Sequence, residues 1–509
     1  MVPPTAASDR LGTPPPLEDA RHSAPRPREA LAALAAIMLL GLALRLWNAR
    51  GGLWVDEAWS AQFVAQAGSA WGVVWRINHD NNHYLNSLWI LLVGPYASPL
   101  LIRALSIATG TLSIAVAGAI GWRRDATTGL IAALLFAVSP ILVAYGAEAR
   151  GYGPMLLAML VSVLLIDRWL DRDHHHDGAP PAWSLAALTL AGLLAQLTYL
   201  FALAAFAGWI VTARSRRSSI DSAVATTARA LGPSAAMLAL VLAFVVVAAA
   251  ASTTGFQAGG YPGFTLAAVA DVLAETVAYT IGFALPAAWP TIGVTLVAIA
   301  ALLIRAHPDR RPFYFFATIA FSLVLVVALW RIGNAGFARY YLVAVVGILL
   351  LLADSAGAAI RRGGWRSGVS IVLTVLVIVG CVRRDDALAR AARGDPDRAI
   401  ATMRSRMPLG ATVLIDTIRP IPVLDIAARR TGYALAIHRT CLAPAPAATP
   451  APAFAFIDLE RRASPMPSIA RCGTAYILVQ TGRHLALSGL DWALYASADP
   501  PEKRGQAMR

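Results

Sequence analysis

Apolar residues along the chain fall in blocks near twenty long, separated by short polar or arginine-bearing segments. A hydrocarbon core of about 30 Å is crossed by a helix of about twenty apolar residues. The pattern therefore predicts eleven membrane helices, at 31–48, 100–121, 128–146, 153–170, 182–200, 199–213, 231–251, 288–305, 312–330, 340–358 and 368–382. The fifth and sixth share a tight turn at Tyr199 and Leu200. The block Leu31 to Trp47 is followed by polar Asn48-Ala49-Arg50-Gly51-Gly52 and lacks a small-residue cleavage site, so it reads as a retained first helix rather than a signal peptide. One apolar run, Tyr84 to Ala97, is too short to span and is broken by Pro95. It is expected to lie at the outer interface, which makes the first outer loop long, 49–99.

The fold class expected is an all-α polytopic membrane protein with a small C-terminal extracytoplasmic α/β domain. Residues 1–29 are rich in Pro and Arg without apolar periodicity and read as a disordered cytoplasmic tail. Residues 30–382 form the membrane domain and 383–509 the outer domain. Within the latter, Thr412–Asp416 and Tyr476–Gln480 read as strands and Pro422–Arg430 as a helix, interrupted by a Pro/Ala linker at 443–452. Cys441 and Cys472 both fall in this domain. Pairing and free thiols are both compatible with the sequence.

Composition agrees with this reading: 57% of the 509 residues are hydrophobic and 14% charged, at a mean hydropathy of +0.60. A soluble domain carries about 25% charged residues. Three cysteines are too few for a disulfide scaffold. The net charge of +14 rests almost wholly on arginine, Lys503 being the only lysine. These arginines lie in clusters between apolar blocks and form no groove-reading motif, so nucleic acid is not expected as a partner. With the N-terminus inside, the inner segments hold eighteen arginines, among them Arg123-Arg124, Arg310-Arg311 and Arg361-Arg362, against five in the outer loops between helices, Arg50, Arg76, Arg150, Arg331 and Arg339. That asymmetry orients the chain. A composition rich in Arg and Ala and poor in Lys points to a high-GC bacterium, hence to its inner (plasma) membrane.

Polar residues concentrate in four segments that this topology puts at one membrane level. They are Leu53-Trp54-Val55-Asp56-Glu57-Ala58-Trp59-Ser60, Asn81-Asn82-His83-Tyr84-Leu85, Glu148-Ala149-Arg150-Gly151-Tyr152 and Ala338-Arg339-Tyr340-Tyr341-Leu342. Charged groups at a membrane boundary beside apolar helices suit a substrate with an apolar tail and a charged head.

These segments resemble the GT-C membrane glycosyltransferases. More narrowly, they resemble the protein O-mannosyltransferase and aminoarabinose transferase group, family 39-like. The Asp56-Glu57 segment just after the first helix is similar to that group's Asp-Glu motif. The Asn82-His83-Tyr84 stretch corresponds to its His-Pro-Pro-Leu-Tyr segment, from which it departs. The resemblance covers about residues 31–382. It implies an inverting glycosyltransferase that takes a sugar from a polyprenyl-phosphate donor. The acceptor on the outer face would be a lipid, a polysaccharide or a protein. By resemblance Asp56 is the general base and Glu57 its orienting neighbour. Arg150 and Arg339 are candidates for the donor phosphate, whose charge fixed guanidinium groups would stabilise. His83, Asn82, Tyr84, Glu148 and Tyr340 are candidates for substrate contact. Other readings stand beside these: a helix cap for the acidic pair, snorkelling to lipid headgroups for the arginines, and interfacial anchoring for Tyr152, Tyr340 and Tyr341.

Other polar groups read as structural. His174-His175-His176 falls in a solvated run, Asp271 and Glu275 on an amphipathic segment, and Arg45 at the end of the first helix, where it is expected to snorkel. His79, Asp80 and His83 form a conceivable metal set. No nucleotide loop, dinucleotide fingerprint or paired zinc motif occurs. No cofactor is called for, and a divalent ion is left open. A lipid or sugar transporter and a non-catalytic assembly protein are the alternative functions.

Overall fold

The computed structural model of the protein describes residues 27–172, 178–257, 264–329, 333–439, 451–461 and 463–498. Helices dominate, and a mixed sheet closes the C-terminal part. Among the described residues seven helices are long and apolar enough to cross a membrane: Arg28–Asn48, Pro99–Trp122, Tyr152–Asp171, Ile220–Ala251, Ala288–Arg305, Ala338–Arg362 and Gly364–Gly394. Their outer faces present apolar side chains, with Leu39 66% and Val297 71% exposed. In water such a surface would be a liability; in lipid it is the solvated face.

The remaining expected spans are shorter or broken. The 128–146 block is two helices, Ala126–Val138 and Pro140–Tyr145. Pro140 has no N–H to offer the carbonyl of Phe136, so the ladder breaks there. The freed carbonyls are taken up by Arg45, which is buried and donates from Nη2 to Phe136 O at 3.2 Å and from Nη1 to Ala137 O at 3.5 Å. Arg45 thus does not snorkel; it repairs a helix break. The 182–200 block ends early, at Ala195, where Gln196 turns extended, and the next helix begins at Tyr199. The 312–330 block is divided into Arg311–Ile319 and Phe321–Leu329.

Close packing follows from small residues. Gly121 and Gly129 face each other across the turn that Asp125 caps, with its Oδ1 accepting from Thr128 N at 2.9 Å. A Cβ on Gly121 would lie 2.8 Å from the Gly129 Cα. Two helices can approach so closely only where both lack a side chain.

The long first loop is itself folded. Its helices are Val55–Ala67, Ala70–Trp75 and Tyr84–Val93, the last ending at Gly94 with φ +96°. The C-terminal sheet has the order β2-β1-β3-β6-β5-β4, with β1 Ala411–Ile415, β2 Leu435–Arg439, β3 Phe454–Asp458, β4 Ser468–Arg471, β5 Thr474–Gly482 and β6 Trp492–Ser497. β1 runs parallel to β2 and β3, and the remaining pairs are antiparallel. The expected strands at 412–416 and 476–480 correspond to β1 and β5, and the expected helix to Pro420–Thr431. That helix packs on Val55–Ala67. Leu53, Val55, Ala58 and Val64 of the first loop share one apolar core with Ile400, Met403, Val423, Leu424 and Trp492. The first loop and the C-terminal part are therefore one packed body. Cys381 is a free, buried thiol. Cys441, most of the 443–452 linker and His174-His175-His176 lie outside the described residues.

Candidate active site

Asp56 and Glu57 do not sit in an open loop. They occupy the first turn of the Val55–Ala67 helix, where carboxylates complement unpaired N–H groups and the positive end of the helix dipole. Neighbours on a helix point about 100° apart, so the two carboxylates have different partners.

Glu57 points inward. Its Oε2 accepts from Trp54 N at 3.2 Å and its Oε1 from Ala149 N at 2.7 Å. Arg103 donates to both of its oxygens, at 2.9 and 2.5 Å. Burial alone would raise this carboxyl, but the Arg103 guanidinium outweighs it and holds Glu57 below the usual carboxylate range. Arg103 also donates to the carbonyls of Ala49, Gly51 and Gly52 at 2.7–2.9 Å. With every acceptor used and no exposure, Glu57 has no oxygen left for a substrate. It ties the Asp56 turn to Ala149 and Arg103.

Asp56 points the other way, at 22% side-chain exposure. Its Oδ2 accepts from Arg150 Nη1, and from Arg339 Nη1 at 3.0 Å. Three segments remote in sequence thus converge on one oxygen. Both arginines are nearly buried. The Arg150 guanidinium stands over the Tyr152 ring at 5.5 Å and the Arg339 guanidinium over the Phe337 and Tyr340 rings at 4.3 and 5.6 Å. A snorkelling arginine would extend into the headgroups; these two are fixed by aromatic walls and a carboxylate.

Around this trio lie buried polar atoms without hydrogen-bond partners: Arg150 Nε, Arg339 Nε, Tyr145 Oη, Tyr152 Oη and His83 Nε2. The Tyr145 and Tyr152 rings are 5.1 Å apart, and His83 is 5.8 Å from Tyr152. Burying a polar group without a partner is costly. Several together, next to two cations, describe a cradle shaped for an anionic ligand with hydroxyl groups. His83 is held well below its usual range by burial and then by Arg150 and Arg339, so its imidazole is neutral.

The other candidates divide. Asn82 is a strut: its Nδ2 donates to the carbonyls of Val73 and Ile77 at 3.0 Å, and its Oδ1 accepts from Ser87 Oγ at 2.8 Å. Its neighbour Asn81 reaches Asp56 instead, donating from Nδ2 to the Asp56 carbonyl at 2.8 Å. Tyr84 is buried at the start of its helix, and burial raises its phenol. Tyr340 is half-buried beside Arg339. Glu148 is fully buried behind Arg150, with Arg393 Nε 3.7 Å from its Oε1 and no hydrogen bond on either oxygen. Burial pushes its carboxyl up to about 7, with Arg393 pulling against it and Glu57 adding repulsion. Tyr341 donates to Ala335 O at 2.7 Å, and Glu275 accepts from Arg461 Nη2 at 2.9 Å and Leu487 N at 3.1 Å, which ties it to the C-terminal part. Among the described residues no three His, Cys, Asp or Glu side chains converge as metal ligands, and His79 pairs with Asp80 at 2.7 Å.

Two arginines carry the frame unannounced by any motif. One is Arg103, in the first turns of the Pro99–Trp122 helix. The other is Arg393, in a left-handed conformation at φ +54° just past the last long helix. Arg393 donates to Asn48 O, to Asn48 Oδ1 at 3.1 Å and to the Ala144 and Ala147 carbonyls at 3.1 and 3.4 Å. Asp395 accepts from Gly52 N at 2.8 Å. The available signal was physical: a lone arginine within an apolar helix needs buried partners.

No family model and no curated protein sequence matches the chain. In fold it is similar to three solved structures. One is ArnT from Cupriavidus metallidurans bound to undecaprenyl phosphate, at 12% identity and a TM-score of 0.49, covering 91% of this chain and 97% of that one. The second is the Archaeoglobus fulgidus oligosaccharyltransferase in complex with Zn and sulfate, at 13% identity and a TM-score of 0.46, covering 79% of this chain and 62% of that one. The third is AglB from the same organism with an inhibitory peptide and a dolichol-phosphate, at 13% identity and a TM-score of 0.46, covering 79% and 64%. The chain thus spans less than two thirds of the length of the two Archaeoglobus chains it resembles.

Proposed function

We propose that the protein is an inverting membrane glycosyltransferase that moves a sugar from a polyprenyl phosphate to an acceptor hydroxyl. The observation that carries this reading is the convergence of Arg150 and Arg339 on Asp56, at the edge of an apolar helical bundle. Two guanidinium groups can bind a phosphate by paired hydrogen bonds. On donor entry the phosphate takes over both cations, which leaves the Asp56 carboxylate free to meet the acceptor hydroxyl. The acceptor oxygen then attacks the anomeric carbon as its proton passes to Asp56. The carbon–oxygen bond to phosphate breaks, its electron pair leaves with the polyprenyl phosphate, and the anomeric centre inverts. The arginines meet the charge that grows on the leaving oxygen. Neutral His83 and the Tyr145 and Tyr152 hydroxyls are placed to bind sugar or phosphate oxygens. The arginine asymmetry supports a site on the outer face, with the N-terminus inside and the C-terminal part outside, and the Arg- and Ala-rich composition supports a bacterial plasma membrane. The acceptor class is a lipid, a polysaccharide or a protein.

Native mass spectrometry of gently extracted protein tests the donor site. Wild type is expected to retain a polyprenyl phosphate or its glycoside, and the Arg150→Ala, Arg339→Ala double variant to lose it. Asp56→Asn is expected to keep the lipid and lose transfer. A wild type without such a lipid in repeated preparations, or an Asp56→Asn variant with full transfer, sinks the proposal.

A further inference from the structure

We infer that the protein carries a second lipid site, for an anionic phospholipid of the surrounding bilayer, at the end of the bundle opposite Asp56. The Leu342–Arg362 helix starts next to Arg339 and ends in Arg361-Arg362, so its 21 residues separate the two ends by about 30 Å. There a crevice of ≈ 650 Å³ opens between this helix, the Ala288–Arg305 helix and the Gly364–Ala391 helix. That volume lies within the range of about 300–1,000 Å³ typical of ligand sites. Its walls are apolar, with Ile131, Leu135, Leu302, Leu352, Leu373 and Val377. Its mouth holds Arg124, Arg305, Arg361, Arg362 and Arg366, with Trp365 among them.

The charges are not balanced from within. Arg361 is committed to Asp125 and donates to Thr128 Oγ1 at 3.0 Å. Asp354, the acidic group of the lining, is held by Tyr314 and lies 3.6 Å from Arg310. Among the described residues, Arg124, Arg305, Arg362 and Arg366 pair with no carboxylate. Arg124 Nε and Ser355 Oγ are buried at the crevice without hydrogen-bond partners. An apolar slot that opens toward lipid, under a ring of guanidinium groups, complements one chemistry: acyl chains below a phosphate headgroup. Arginine forks match phosphate oxygens, and basic pockets between membrane helices select anionic headgroups. A surface patch that served topology alone would need no cavity beneath it.

The full-length protein is exchanged from detergent into a probe mixture of phosphatidylglycerol and phosphatidylcholine with matched chains, and bound lipid is counted by native mass spectrometry. Phosphatidylglycerol is expected to be retained over phosphatidylcholine at least about tenfold. The Arg124→Gln, Arg362→Gln, Arg366→Gln triple variant is expected to lose that preference. Ala359→Trp keeps every arginine and fills the crevice, and is expected to lower occupancy as well. Equal retention of both lipids by wild type overturns the site without recourse to any variant. Unchanged phosphatidylglycerol occupancy in Ala359→Trp shows headgroup attraction to a flat basic surface and overturns it too. The site is independent of the donor reading, because retention of a polyprenyl phosphate through Arg150 and Arg339 is expected to be the same in all these variants.

Discussion

Arg103 and Glu57 meet as a fork on a carboxylate, Nε to Oε1 at 2.9 Å and Nη2 to Oε2 at 2.5 Å, and neither side chain is exposed. Two charges so placed are costly to part, because the survivor stays buried without a partner. Arg103→Met is expected to destabilise the protein by about 3–5 kcal/mol. Arg103→Lys should recover only part, since an ammonium cannot reach both oxygens and three carbonyls at once. Thermal unfolding in detergent reads the loss. A melting point unchanged in Arg103→Met would show that the pair does not hold the loop.

The two arginines at Asp56 are expected to differ from a general positive charge. Arg339→Lys keeps the charge but loses the planar fork. Donor affinity should fall by roughly ten- to a hundredfold, the worth of about 1.5–3 kcal/mol for one charge-assisted hydrogen bond. Titration with a short-chain polyprenyl phosphate measures it. Equal affinity in the lysine variant would argue for simple charge attraction.

Glu148 gives a pH signature. Its folded-state value, raised to about 7 from an ordinary 4.5, means that the folded protein holds a proton that the unfolded chain releases. The contribution of Glu148 to stability is therefore highest in acid and falls as pH rises from about 4.5 to about 7, then levels off. The fall is on the order of 3 kcal/mol. Glu148→Gln removes the ionisation, so its stability should be flatter across that window. Melting temperatures of the two proteins between pH 5 and 8 make the comparison. Parallel curves would mean that Glu148 titrates normally.

Gly52 leaves no room for a side chain. A Cβ there would lie 2.3 Å from Asp397 Oδ1, and Asp397 is itself held by Arg430. Gly52→Ala is expected to push the Asp56 turn away from the C-terminal part and to lower transfer by tenfold or more, on the order of 1.4 kcal/mol in barrier. Membrane insertion should be unaffected. Activity of an unchanged amount of extracted protein is the readout, and wild-type transfer would show that the turn tolerates displacement.

Arg45 and Pro140 are coupled. Arg45→Met strands the Phe136 and Ala137 carbonyls at a cost of about 1–3 kcal/mol. Adding Pro140→Ala restores an N–H for Phe136 and should return part of that stability. A double-mutant cycle on unfolding measures the coupling. Strict additivity would separate the two residues.

Much of this architecture was legible in the chain. Blocks near twenty apolar residues located the long helices, and the short apolar runs at 412–416 and 476–480 located β1 and β5. Asp56, Arg150 and Arg339 stood out because their segments resemble one family's motifs and the expected topology put them at one membrane level. Illegible were features that depend on tertiary partners. Nothing local tells that Glu57 turns to Arg103 while Asp56 turns to Arg150, or that Asn82 braces a loop while Asn81 touches Asp56. The break at Pro140 was written in the sequence, but its repair by Arg45, about ninety residues away, was not. The strands β2, β3, β4 and β6 were not read from the chain, because the sheet forms by pairing between segments remote in sequence.

The link from Arg393 and Asp395 back to Asn48 and Gly52 has a consequence for biosynthesis. The residues it joins are about 345 positions apart. A ribosome delivers the Asp56 helix early and the clasp that fixes it late, after nearly every membrane helix has left the translocon. The Asp56 turn therefore acquires its final setting only after the last long helix has been made, and a product truncated before Arg393 would insert in the membrane without that clasp.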